Sequence, residues 1–195
     1  MTNNALKHNF TPQDYLAYER DAPEKHEYFA GQIYNMAGAT KNHNLVSMNL
    51  SIVVGNQLKN RTCQAYAHDM RVLVNKTGLY TYPDLVIVCG EPQFLDAHED
   101  TLLNPTVIIE VLSESTEAYD RGDKYAHYRK LDSLQEYILV AQNKPGIEIF
   151  TRGENGNWLY HAYGDSGEII PIKSIECHLN LRDVYDKTNV LSLNE

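Results

Sequence analysis

Apolar positions recur along the chain with two periods, near 3.6 and 2, and the changes between them mark out elements. Thr11-Pro12-Gln13-Asp14 opens a short helix: Thr11 suits the N-cap, Pro12 the first helical position, and Asp14 the electropositive first turn. That helix runs to about Arg20 and stops before Pro23. Residues 26–36 alternate around Gly31 as a hairpin does. Over residues 43–58, Leu45, Val46, Met48 (or Asn49), Ile52, Val53 and Leu58 recur at helical spacing and predict the main helix, packed along one face of a sheet. Strand-like stretches follow at 64–68, 70–74 and 85–88, with Asn75-Lys76-Thr77-Gly78 as the turn before the third. Residues 90–104 are polar and read as a surface loop. Residues 106–112 are nearly continuous β-branched, as in a central strand covered on both faces. Residues 117–131 read as a helix returning to a strand at 137–140, then a closing hairpin (147–150, 158–163) and a short helix at 181–185. The order predicts an α/β (α+β) fold, a mixed central sheet flanked by helices with an N-terminal helix and hairpin.

Composition changes this picture little. The 195 residues are 43% hydrophobic and 22% charged, with no internal repeat and no linker-like stretch, so a single domain over 1–195 is expected, with 1–10 polar and flexible. No apolar run approaches the roughly 18 residues of a membrane span. Residues 1–10 lack the apolar core of a secretory signal, which makes the cytoplasm the default location. Cys63, Cys89 and Cys177 are widely spaced and form no C-x-x-C pair, which predicts reduced, buried thiols. A net charge of −9 argues against a nucleic-acid coat protein. It leaves room for an acidic enzyme that places a metal between its carboxylates and a phosphate.

Glu110 carries the chemistry. It interrupts a Val/Ile/Leu strand, where an ionised carboxylate is costly without a cationic partner. Asp84 follows Pro83 and leads into the apolar stretch 85–88. On adjacent strands the two acids converge, and hard oxygen ligands suit Mg²⁺, with Mn²⁺ as a substitute. Taken singly, Asp84 reads as a turn-former and Glu110 as one half of a buried salt bridge.

Tyr82-Pro83-Asp84, with Ile109-Glu110-Val111-Leu112 following, resembles the PD-(D/E)xK nuclease superfamily. Residues 26–33 with His43, residues 80–84, residues 110–116 and Asp120-Arg121-Gly122-Asp123-Lys124-Tyr125 together resemble the bacterial Uma family of restriction endonucleases, over roughly 11–185. The resemblance implies a metal-dependent endonuclease hydrolysing phosphodiester bonds of nucleic acid, with DNA the expected substrate. Asp84 and Glu110 would be metal ligands, with the Val111 carbonyl a third. The superfamily lysine two positions after the acid is replaced by Leu112, and Lys124 on the next helix matches the family's displaced lysine. Glu27 would be an accessory acid and His43 a substrate-phosphate ligand or a proton-transfer group. For His43 a local helix-start hydrogen bond is an equal alternative, and a solvated helix face is the bland reading of Lys124. The remaining histidines, His68 included, show no ligand spacing and read as structural or exposed. A two-fold homodimer suits an enzyme that cuts both strands. The competing accounts are an inactive nucleic-acid- or protein-binding module on the same fold, and a metal hydrolase acting on another phosphoester.

Overall fold

The computed structural model describes residues 5–7, 9–36, 38–165 and 167–191. Its central sheet has the order β12-β11-β10-β9-β7-β4. At its middle is β9 (Val107–Leu112), buried along its whole length. It runs parallel to β10 (Glu136–Ala141) and antiparallel to β7 (Leu85–Cys89), in a register that pairs Leu85 with Ile109. The antiparallel strands β11 (Ile147–Arg152) and β12 (Trp158–Tyr163) extend one side and β4 (Cys63–Ala67) closes the other.

The alternation of β9 decides which layer meets which. Val107, Ile109 and Val111 share a core with α2 (Lys41–Leu58) and with the hairpin of β13 (Ile169–Ile172) and β14 (Cys177–Asn180). Ile108 and Leu112 pack on the other face against Val72, Val74 and Leu79 of a second sheet and against Tyr128 and Tyr137. Glu110 lies in phase with that second set, so it projects between the two sheets. The second sheet has the order β1-β3-β2-β6-β5-β8, comprising β1 (Ala5–Lys7), β2 (His26–Phe29), β3 (Gln32–Asn35), β5 (Arg71–Val74), β6 (Leu79–Thr81) and β8 (Thr101–Leu102). Helix α1 (Pro12–Asp21) closes its far side through Tyr15 and Leu16, beginning in a reciprocal Thr11–Asp14 capping box.

Several expectations need correction. The buried stripe of α2 is Val46, Leu50, Val54 and Leu58, while Met48 and Ile52 are 57% and 52% exposed. Two residues turn a helix by about 200°, so Met48 cannot share a face with Val46. Residues 117–131 are not one α-helix: α3 (Glu117–Tyr119) passes into a π-helical turn (Asp120–Lys124) and then α4 (Tyr125–Tyr128). The stretch 90–104 holds β8, and β6 and the β13–β14 hairpin were not foreseen. Cys63 and Cys89 are not reduced thiols. They sit opposite each other in the β4–β7 ladder and form a disulfide, and only Cys177 is a free buried thiol. The expected flexibility of 1–10 falls partly on 1–4 and 8, outside the described residues, and His8 lies there too; Ala5–Lys7 pairs with β3. Among the described residues no helix is long and apolar enough to cross a membrane.

Candidate active site

The two sheets and α2 enclose a cavity of about 620 Å³ lined by Glu27, His43, Asp84, Glu110, Val111 and Lys124, with His68, Tyr119 and Asp120 also on its wall. Each arrives for a local reason. Glu27 projects from β2 and Glu110 from β9, whereas Asp84 sits in the turn just before β7. His43 occupies the first turn of α2, where its N–H is capped by Thr40. The π turn brings both Asp120 and Lys124 inward, to 3% and 5% exposure. Single-turn widenings of a helix are frequent at functional sites; Asp120 and Lys124, four residues apart, lie on one face of this turn.

Lys124 is the centre of the cluster. Its Nζ lies 2.9 Å from Glu110 Oε1, 3.3 Å from Glu27 Oε1 and 3.5 Å from Asp120 Oδ1. Tyr128 donates to Glu110 Oε1 at 2.9 Å, and Thr81 donates to Glu27 Oε1. Both contacts of Glu110 fall on Oε1. Asp84 Oδ2 accepts the Val111 N–H at 2.8 Å, and its Oδ1 faces His43 Nε2 at 3.4 Å and His68 Nδ1 at 3.8 Å.

The electrostatics follow from crowding. Burial pushes the Glu110 carboxyl up; Lys124 opposes the shift, while Asp120 and Asp84 add to it. Asp120 is also raised, again chiefly by burial against the pull of Lys124. Burial works against the Lys124 ammonium, yet Glu110, Glu27 and other neighbours overcome it and hold the lysine charged. Asp84 is lowered: burial disfavours its charge, but the His43 hydrogen bond and charge, with the Val111 N–H, outweigh it. His43 is raised in turn, since Asp84 and the Val111 backbone offset its own burial. Four carboxyls thus share one lysine and two histidines, of which His68 is the more exposed. That excess of buried acid over buried base, made wholly of hard oxygen donors, fits a divalent cation. Among the described residues no three acids, histidines or cysteines already stand in a closed ligand cluster.

The sequence expectations placed Glu27, His43, Asp84, Glu110, Val111 and Lys124 in one site, and the structure brings them to one cavity. His68, Tyr119 and Tyr128 are among the neighbours that escaped them. His68 was read as structural or exposed, yet it lines the cavity in a left-handed backbone conformation (φ 55°). Its N–H donates to the Asp84 carbonyl, and its own carbonyl accepts from Lys25. No spacing signal could have found it. Tyr119 and Tyr128 were also invisible as site residues, because a tyrosine in an amphipathic segment reads as core.

A family model described as "Uma2: Putative restriction endonuclease" matches residues 12–182. An uncharacterized protein of Synechocystis sp., slr1290, is 37% identical over 175 residues, covering 90% of each chain. A second from the same organism, sll1609, is 34% identical over 160 residues, 82% of this chain and 90% of that one. A crystal structure from Anabaena variabilis, described as "a putative nuclease belonging to DUF820", superposes with a TM-score of 0.74 at 17% identity, over 90% of this chain and 97% of the other. That likeness shows the fold, which is nuclease-like.

Proposed function

The chain belongs to the Uma2 family, and we propose that it is a metal-dependent endonuclease that hydrolyses phosphodiester bonds in nucleic acid, with DNA the first substrate to try. The observation that carries this reading is Lys124 Nζ 2.9 Å from Glu110, in a cavity that also holds Asp84 and Glu27. Leu112, where the superfamily has its lysine, is buried among apolar side chains, and Lys124 comes to Glu110 from the π turn instead.

Asp84 and Glu110 would hold the Mg²⁺, with the Val111 carbonyl as a third ligand. Bound there, the cation would offset charge on the phosphate and favour ionisation of a water. Lys124 orients that water and stabilises negative charge as it develops. Glu27 and Asp120 keep Lys124 charged and in place. His43, held by Asp84, presents its imidazole to a substrate phosphate. The span is read as one domain, and a two-fold homodimer would place two such cavities on opposite strands of a duplex.

Incubation of labelled duplex DNA, single-stranded DNA and RNA with Mg²⁺, Mn²⁺ or EDTA tests the reading. Cleavage should require the cation and should disappear in Asp84→Ala and Glu110→Ala, with the folds intact by circular dichroism. Lys124→Met should lower the rate by about 100-fold, the usual scale for losing one preorganised electrostatic group. Retained cleavage in both acid variants sinks the proposal. The inactive-module reading draws on Leu112 and the net charge of −9, and it predicts binding with no cation-dependent turnover.

A further inference from the structure

Among the described residues only three buried side-chain polar atoms lack a hydrogen bond: Arg71 Nη2, His127 Nδ1 and the Tyr119 hydroxyl. The first is 3.0 Å from Asp100 and ion-paired. The third is different, because Tyr119 is the one of the three that lines the catalytic cavity.

Five buried tyrosines have partners for their hydroxyls. Tyr15 donates to the His26 carbonyl, Tyr82 to Glu19, Tyr128 to Glu110, Tyr137 to the Asp120 carbonyl and Tyr185 to the Ala141 carbonyl. A buried hydroxyl without a partner is costly, and folded proteins keep few of them. Tyr119 ends α3, directly before the π turn, and its ring centroid is 6.0 Å from Lys124 Nζ. Its neighbours are the charged groups of the site: burial first, then Glu27, raise its pKa, with Asp120 and Glu110 adding to the effect against Lys124. The group is therefore a protonated donor without an acceptor. The missing acceptor should be an anionic oxygen that arrives with the substrate.

We propose that the Tyr119 hydroxyl is a substrate contact of this site, donating a hydrogen bond to a non-bridging oxygen of the bound phosphodiester. The inference rests on the nuclease reading above and adds to it a residue that holds no metal and transfers no proton.

Tyr119→Phe removes one oxygen and leaves the ring. Cleavage of whichever labelled oligonucleotide the wild-type chain cuts in Mn²⁺ would be compared between wild type and variant, alongside thermal unfolding of both in EDTA. A kcat/KM about tenfold lower in the variant, the scale of one hydrogen bond, together with an unchanged or higher unfolding temperature, is the expected result. A hydroxyl that lacks a partner in the free protein costs nothing to remove, so the two readouts should move independently. An unfolding temperature that falls means that the hydroxyl serves the fold, which overturns the inference. An active wild type with unchanged kcat/KM in the variant also overturns it, leaving the hydroxyl without a part in substrate binding and the nuclease reading untouched. A wild type that cuts none of the three nucleic acids with either cation overturns that reading and this inference together.

Discussion

Glu110 and Glu136 stand on adjacent parallel strands, both almost fully buried, and differ in what satisfies them. Glu136 accepts from the backbone N–H groups of Lys173 and Ser174 and from the Ser174 hydroxyl. It holds a turn of the chain and is a structural acid. Glu110 has Lys124 and Tyr128 on one oxygen and faces a cavity. From sequence the two look alike, a single acid in or beside an apolar strand, and only the partner tells them apart. Glu136→Ala should cost about 1–3 kcal/mol in urea unfolding by leaving those donors unpaired, with no change in the response to Mn²⁺. Lys124→Ala should cost about 3–5 kcal/mol, since it strips the one lysine from a cluster of buried carboxyls. A near-neutral Lys124→Ala would mean that the lysine is not the centre of the cluster.

At the scale of elements, α2 shows what periodicity can and cannot give. Its existence and length are legible in the repeat of apolar residues, and Thr11-Pro12 and Asp14 announce α1 through their capping chemistry. The face was not legible, because α2 carries apolar residues on more than one side. Leu50→Ala should cost about 2–5 kcal/mol, whereas Met48→Ser and Ile52→Ser should stay within about 0.5 kcal/mol; equal losses at all three would refute the assigned face. The π turn left no trace in the pattern, since its wider ring shifts the phase by a single residue within a short polar stretch. The disulfide was hidden for a different reason. Cys63 and Cys89 become neighbours only through the register of β4 on β7, which separation along the chain does not encode. A second tie joins α1 to the second sheet: Asp100 bridges Arg20 at 2.8 Å and the buried Arg71 at 3.0 Å. Burial works against the Asp100 charge, but Arg20 and Arg71 hold its carboxyl well below the ordinary carboxylate range. A carboxyl with a depressed folded pKa contributes stability above its unfolded value, about 4, and loses it as pH falls toward the folded one. Asp100→Asn should therefore flatten the acid limb of stability below about pH 4, measured by denaturant midpoints across pH. An unchanged limb would mean that the bridge contributes nothing.

For the whole molecule, the reading joins an acidic chain to an anionic substrate. A net charge of −9 opposes phosphate backbones at long range, so the proposed function needs a local attraction, which a cation among the buried carboxyls would supply. Binding of the cation to the folded state should then appear as stability. At about 100 times its dissociation constant, a ligand adds ~2.7 kcal/mol, several degrees for a chain of this size. Thermal unfolding followed against Mn²⁺ concentration, in the parent and in Glu110→Ala, is the most direct test. The account predicts a rise with Mn²⁺ in the parent and little or none in Glu110→Ala. A parent indifferent to Mn²⁺, or a variant that responds as strongly as the parent, would contradict a carboxylate metal site in this cavity.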